Sequence, residues 1–296
     1  MKVFSQKRPL LFSLSVMLSA VTVMIVLSAL FVKIFDISER STAAAVSLAS
    51  ELMLSLLIIL IARKIGISKG WFSAAGIVKG LLLGWLGIVY SAVIFILILI
   101  TAPPEYFAAP KPWPLLSAVC TAFAVGLFEE VLMRGIVLNT LLNKKGAERK
   151  DVLKACWISS ALFGAMHLAN ILAQAGFIET IGQVIYAAFM GMYFAAVYIR
   201  SKSLWAPIIL HAAFDLPQFI MSAMLSEQGL SAEMELQAAQ STSEAISSAA
   251  GSAAMILPFL IAALILLRKG KINGREENTY GLQTYREISP DRDGQA

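Results

Sequence analysis

The sequence predicts an all-α polytopic membrane protein, a bundle of about eight transmembrane helices. Of its 296 residues, 58% are hydrophobic and 15% are charged, and the mean hydropathy is +0.76. Soluble domains average about 45–50% apolar and 25% charged residues. The apolar residues also fall into runs of roughly 20, the length of a helix that crosses a bilayer core. Together, composition and run length exclude a soluble domain.

Eight apolar runs are predicted to span the membrane, and the fifth is the shortest: 10–34, 43–62, 79–101, 115–140, 154–170, 179–199, 204–226 and 248–267. The basic start resembles a signal peptide, but its apolar run continues to about Phe35, which is too long. Segment 64–78 is too short to span and is expected to be interfacial. We expect residues 1–272 to form one transmembrane domain and 273–296 a polar, disordered cytoplasmic tail.

The basic residues lie mainly on one side of these spans. Counting the termini and alternate loops, 20 of the 24 lysines and arginines fall on that side. Positive-inside bias makes this face cytoplasmic, so both termini are predicted in the cytoplasm of a multi-pass cell-membrane protein. The net charge of +5 therefore indicates contact with the lipid bilayer and not with nucleic acid. Cys120 and Cys156 lie in apolar runs and are expected to be buried thiols.

Several ionisable residues lie inside the predicted spans. Glu129, Glu130 and Arg134 share the fourth span, and Asp215 lies in the seventh. Each such residue costs about 2.5–3.5 kcal/mol at the centre of a spanning helix, before any pairing. The only two histidines of the chain, His167 and His211, also lie in apolar runs. A chain that carries this cost is expected to use these groups for chemistry.

Helix geometry predicts that the two adjacent glutamates point in different directions. Glu130 and Arg134 are four residues apart and can pair, whereas Glu129 is rotated by about 100° and can face a cavity. At about 1.5 Å per residue, Glu129, His167 and His211 lie roughly 18, 20 and 10 Å from the cytoplasmic face. We therefore expect one cavity between the cytoplasmic half and the middle of the membrane.

Two chemistries fit these groups. A carboxylate and an imidazole could activate a water, while a second imidazole stabilises an oxyanion. Alternatively, Glu129, His167 and His211 could hold a divalent metal such as zinc, which would activate the water. The single-helix H-E-x-x-H signature is absent from the sequence. Spacing leaves the two possibilities open.

Three motifs occur in order along the chain: the EExxxR of residues 129–134, Phe163-xxx-His167 and His211-xxx-Asp215. In this arrangement the sequence resembles the CPBP (Abi) family of intramembrane proteases, which includes the type II CAAX prenyl endopeptidase. The motifs cover residues 129–215, within a family core of about 115–226. The resemblance implies a helical bundle with an intramembrane catalytic cavity.

The resemblance implies a role for each motif position. Glu129 would be the catalytic carboxylate, acting with His167 on the attacking water, and His211 with Asp215 would stabilise the oxyanion. The family most commonly has Asn at the last position. An ionised Asp215 would repel an oxyanion, so it would have to be protonated or act in another way.

The resemblance also implies that Glu130 and Arg134 organise the site. Arg134 lies near enough to the cytoplasmic end of its span to be expected to snorkel toward water. Phe163 is expected to pack along the site. Outside the motifs, Glu51 is predicted to hydrogen-bond between helices. Three glycines flanking the motifs are expected to allow close helix approach: Gly126, Gly135 and Gly164.

The predicted function is that of an intramembrane endopeptidase, of glutamate type or a metalloprotease, acting on a peptide or protein substrate at the membrane. An alternative is a non-catalytic membrane scaffold or bacteriocin self-immunity protein with the same fold. A third class is an ion or solute transporter, because intramembrane acids and histidines also serve as proton relays. No pair of matching broken helices, the usual sign of an inverted-repeat transporter, is evident in the sequence.

Overall fold

The protein, described from a computed structural model, is a bundle of helices. The structure describes residues 1–35, 40–102, 112–142, 148–173, 176–227 and 242–268, and within these ranges there is no β-strand. The α-helices are α1 (Lys2–Lys7), α2 (Pro9–Phe35), α3 (Arg40–Ile65), α4 (Ala75–Leu83), α5 (Trp85–Thr101), α6 (Pro112–Glu130), α7 (Asn139–Leu142), α8 (Arg149–Met166), α9 (Phe177–Ser201), α10 (Trp205–Glu227) and α11 (Thr242–Leu266). The predicted all-α class is confirmed.

Seven helical stretches in the described part are long and apolar enough to cross a membrane, and a bent pair brings the count to eight. That pair, α4 and α5, corresponds to the predicted span 79–101 and is bent by 65°. The break is at Gly84, where a Cβ atom would collide with the side chain of Leu210 on α10. A glycine at this position therefore lets both halves of the span pack against α10.

Helix α9 runs through the middle of the bundle. It packs against α4, α8, α10 and α11, while α6 packs between α3 and α10. Two of the predicted glycine contacts are confirmed, since Gly126 meets the backbone of α10 and Gly164 meets that of α9. Gly135 instead faces the indole of Trp71, with a Cβ at Gly135 placed 2.7 Å from Trp71 Cη2.

One end of the bundle is tightly packed, and we call it the closed end. Residues 131–138, 195–199 and 204, 206, 208 and 210 are all buried there. Residues 66–74, which join α3 to α4, fold over this end, and the Trp71 carbonyl accepts a hydrogen bond from the Leu204 N–H (2.6 Å). The segment predicted as interfacial therefore seals part of the bundle through a side chain, Trp71, that is itself buried.

The predicted cytoplasmic tail, residues 273–296, lies outside the described residues. The same is true of most of the connection between α10 and α11. The division into one transmembrane domain and a tail therefore stays a prediction.

Candidate active site

The helix that carries the two glutamates changes form directly after Glu130. Residues Val131–Leu138 make a π-helical turn, in which backbone hydrogen bonds span five residues instead of four. Asn139 closes this segment, because its Nδ2 donates to the carbonyls of Arg134 (2.9 Å) and Gly135 (3.0 Å). Short π-helical stretches occur often at functional sites. Here the stretch lies between the acidic pair and the end of the span.

Glu130 and Arg134 form the predicted pair, fully buried. Arg134 Nη1 donates to Glu130 Oε1 (2.8 Å), and Arg134 Nη2 donates to the carbonyl of Gly191 on α9 (2.9 Å). The guanidinium also lies 4.6 Å from the ring centroid of Phe163. The expectation that Arg134 snorkels is wrong, because its charge is held by three neighbouring groups inside the bundle.

His211 lies among three carboxyl groups. Its Nδ1 is 3.0 Å from Glu130 Oε1, and its Nε2 is 3.4 Å from both Glu129 Oε2 and Asp215 Oδ2. The ring is stacked on Phe194, with centroids 5.0 Å apart. Helical spacing predicted the Asp215 neighbour, and the expected common cavity put Glu129 near His211, but the contact with Glu130 was not predicted. The contacts with the two glutamates depend on how α6 and α10 are rotated against each other.

His167 is oriented by its own helix. At this residue α8 passes into a 3-10 segment, His167–Ala173, and the backbone N–H of His167 donates to the carbonyls of Gly164 and Ala165. The Phe163 carbonyl accepts a hydrogen bond from the ring Nδ1 of His167 (3.0 Å). In the neutral ring this leaves Nε2 as a proton acceptor. The rings of Phe163 and His167 also pack in a T-shaped arrangement, with centroids 5.2 Å apart.

A cavity of about 390 Å³ brings the predicted residues together. Glu129, His167, His211 and Asp215 all line it, together with Phe163. Glu129 keeps 15% of its side chain exposed, whereas the Glu130 side chain has none. The predicted division between a cavity-facing and a structural glutamate is therefore seen in the structure.

Five polar residues that the sequence analysis missed also line the cavity: Asn170, Gln183, Tyr186, Gln218 and Ser222. Asn170 Nδ2 donates to Gln183 Oε1 (2.7 Å) across the wall. The spacing 211, 215, 218 and 222 puts Gln218 and Ser222 on the helix face of His211. That polar stripe is visible in the sequence and would have identified them.

Glu51 does not make the interhelical hydrogen bond that was predicted. Its Oε1 accepts from Ser47 Oγ (2.9 Å) on the same helix, and its Oε2 is buried without a hydrogen-bond partner. The residue lies on α3, which packs against α6, but it is not part of the cavity lining. The hydrogen bond of Glu51 is therefore made within α3, to Ser47, and not to another helix.

The metal-binding alternative can be tested against the side-chain geometry. In the described part of the chain, no group of three His, Cys, Asp or Glu side chains is arranged so that it could hold a metal ion. The set Glu129, His167 and His211 therefore does not fit a metal in this arrangement.

Fold and site together define a multi-pass membrane protein with a cluster of acids and histidines inside the bundle. Residues 111–217 match the family described as Type II CAAX prenyl endopeptidase Rce1-like, and this segment contains all three motifs. The predicted relationship to the CPBP family is thereby confirmed, and the segment is Rce1-like. At the family level this implies a CAAX-protease-like protein with a peptide substrate at the membrane. Searches of curated proteins and of solved structures found no match.

Proposed function

We propose that the protein is an intramembrane endopeptidase that hydrolyses a peptide bond with a water activated by Glu129 and His167. The observation that carries this proposal is that both side chains line one cavity, while the ring of His167 is held by a contact of its Nδ1 with the Phe163 carbonyl. The His167 ring is held through Nδ1, so Nε2 remains available to take a proton from water. Attack of this water on the carbonyl carbon gives a tetrahedral oxyanion, and the proton passes to the departing amine.

His211 is suited to stabilise that oxyanion. Glu130 holds its Nδ1, and Nε2 is directed to the cavity side, near Glu129 and Asp215. Donation to an oxyanion requires a proton on Nε2 as well, which is the imidazolium form. In that form the charge of Asp215 is opposed by the ring beside it, so an aspartate at this position is compatible with the role.

The remaining wall is suited to a peptide main chain. Asn170, Gln183 and Gln218 present uncharged amides, each with donors and an acceptor, next to the aromatic rings of Phe214 and Phe219. Peptide groups have the same complementary donors and acceptors. The mixture of amides and rings therefore supports a peptide substrate over a small ion.

The test compares cells that express the wild-type chain, Glu129→Ala or His167→Ala. New N-termini in their membrane proteins are identified by N-terminal labelling and mass spectrometry. We expect a set of termini that appears with the wild type and disappears with both variants. Glu148→Gln is the matched control, because this carboxylate is 69% exposed and lies outside the cavity.

Full cleavage by both site variants at normal membrane levels would eliminate the mechanism. If no termini depended on the protein, yet the site variants kept a cellular phenotype that loop deletions abolished, the non-catalytic scaffold function would be favoured.

A further inference from the structure

We propose that Asn170 is a positioning residue, whose hydrogen bond to Gln183 fixes where the His167 imidazole stands in the cavity. This role rests on the proposed peptidase function, in which His167 takes a proton from water. The positioning itself is supported by three features of the structure: the form of the segment that carries His167, the exposure of its side chains, and one hydrogen bond that ties it to α9.

The His167 imidazole is carried by a short 3-10 segment, His167–Ala173, which follows α8. A 3-10 helix has three residues per turn, so side chains three positions apart lie directly above one another. Asn170 is therefore one turn after His167, and both side chains line the cavity. The hydrogen bonds of a 3-10 helix have poorer geometry than those of an α-helix. The segment consequently depends on contacts with other elements to hold its place.

Burial contributes little to holding this segment. None of the described side chains of residues 167–172 is fully buried, and Leu168 and Leu172 are 42% and 75% exposed. The contact of His167 Nδ1 with the Phe163 carbonyl (3.0 Å) fixes the ring relative to α8. It does not fix the segment relative to the other helices around the cavity.

One hydrogen bond ties the segment to α9, against which it packs. Asn170 Nδ2 donates to Gln183 Oε1 over a distance of 2.7 Å. Gln183 also hydrogen-bonds the side chain of Tyr186, about one turn further along α9. Because the amide Oε1 accepts from Asn170, its Nε2 is the group that can donate to the phenol oxygen. The Gln183 amide is thus held at both ends and presents an oriented acceptor to Asn170.

Helix α9 also contacts the second imidazole of the site. Phe194, on the cavity face of this helix, stacks on the His211 ring with centroids 5.0 Å apart. Gln183 lies about three helical turns earlier and lines the cavity too. The two histidines come from α8 and α10, but both are held against α9, at two points on its cavity face.

Loss of the Asn170–Gln183 bond should move His167 without removing a group that transfers protons. Neither amide gains or loses a proton at ordinary pH. A misplacement of about 1 Å at a reacting group can cost about 100-fold in rate. The effect should therefore appear in kcat, whereas a residue that only bound the substrate would change KM.

The position of His167 can be measured without cleavage, because the chain contains only two histidines. Protein carrying isotope-labelled histidine is purified, and nitrogen NMR signals of the two imidazoles are assigned with a His167→Gln variant. Asn170→Leu and Gln183→Leu keep the side-chain volume and lose the bond, and the corresponding alanine variants replace a leucine variant that fails to fold. Glu179→Gln, exposed one turn before Gln183, is the matched control.

We expect wild-type His167 to show one tautomer, with the proton on Nδ1. In the Asn170 and Gln183 variants its signals should shift or broaden, while those of His211 stay unchanged because that ring has other contacts. The exchanged variant Asn170→Gln/Gln183→Asn, which keeps the combined length of the two side chains, should restore the His167 signals. Wild-type His167 signals in both single variants would overturn the proposal.

Cleavage measurements then separate the positioning from the peptidase mechanism. With a substrate peptide identified from the new N-termini, each single variant should lower kcat by up to about 100-fold at nearly unchanged KM. The Asn170→Leu/Gln183→Leu variant should lose no more than either single one, because both remove the same bond. A rise in KM at unchanged kcat would overturn the proposal in favour of direct substrate binding. Altered His167 signals with cleavage that survives Glu129→Ala would leave the positioning intact and reject the peptidase mechanism alone.

Discussion

The imidazole of His211 shows how one side chain connects structure and chemistry in this site. Its Nδ1 contacts Glu130, which is also the partner of Arg134, while its Nε2 faces Glu129 and Asp215. A change at Glu130 therefore acts on two buried side chains at once, Arg134 and His211, whereas a change at Glu129 acts on the cavity. The two adjacent glutamates should consequently respond to the same substitution in different ways.

We predict that Glu129→Gln and Glu130→Gln separate activity from stability. Glu129→Gln should reduce cleavage by about 100-fold or more, the usual contribution of a general base, at unchanged stability. Glu130→Gln leaves Arg134 without its counter-charge, and breaking such a buried pair costs about 3–5 kcal/mol. Unfolding in mixed detergent micelles and the membrane cleavage assay measure the two effects. Equal unfolding free energies for the two variants would contradict the assigned division.

We predict that the site retains no stoichiometric zinc, because the described acids and histidines do not form a set of three that could hold a metal. The measurement is elemental analysis of purified protein after exposure to zinc and washing. The comparison is a Glu129→Ala/His167→Ala variant, which should contain the same amount of metal. One zinc per chain in the wild type, lost in the variant, would show that the set closes around a metal in solution.

The π-helical stretch after Glu130 is held by contacts with a neighbouring loop and with the side chain of Asn139. The π-helical turn brings Gly135 against the Trp71 ring and places Asn139 where it binds two freed carbonyls. The loop of residues 66–74 is thus held by a glycine on another helix. The contact joins the seal of the closed end to the helix that carries Glu129 and Glu130.

We predict that Gly135→Ala destabilises the protein by about 1–3 kcal/mol, the usual cost of overpacking, because the new Cβ meets the Trp71 ring. Gly251→Ala is the matched control. A Cβ there meets nothing within 4 Å, so helix propensity should leave stability equal or raise it by up to about 1 kcal/mol. Denaturation of both variants measures the difference. A Trp71→Phe replacement in the Gly135→Ala background should recover part of the loss, and no recovery would argue against this contact.

Local pattern predicted the helices and the motif residues, but not the contacts between distant elements. Apolar length was enough to find the spans, including 79–101, whose bend at Gly84 arises from contact with α10. Pairing of Glu130 with Arg134 followed from helical spacing alone. The Glu130–His211 contact and the position of Trp71 did not, because they depend on the rotation of one helix against another. The expectation that Arg134 reaches toward water was wrong for the same reason, since its second hydrogen-bond partner, the Gly191 carbonyl, lies on a different helix.

For the whole molecule, the number of spans determines how the chain is oriented. Seven helical stretches qualify alone, and the α4–α5 pair supplies an eighth if it crosses once. An even number puts both ends of the chain on one face, as the distribution of basic residues also predicts. The charge pattern was counted on eight spans, and a miscounted span would disrupt it, so its regularity favours eight crossings.

We predict that both termini face the cytoplasm. Fusions of green fluorescent protein to either end should fluoresce in bacterial cells, whereas alkaline phosphatase fusions at the same positions should be inactive. A phosphatase fusion after residue 102, at the end of α5, should be active and serves as the opposite control. Activity of phosphatase at one terminus alone would indicate seven crossings, with the bent pair returning to the face from which it entered.

The seal made by Trp71 also has a consequence for turnover. Because Trp71 packs against Gly135 and bonds to Leu204, products cannot leave through the closed end, so departing fragments compete with arriving chains for the remaining routes. Bond cleavage can then be faster than release, as in many enzymes limited by a conformational or product step. We expect such a pocket to give an initial burst followed by a slower steady rate, with the longer fragment as a competitive inhibitor.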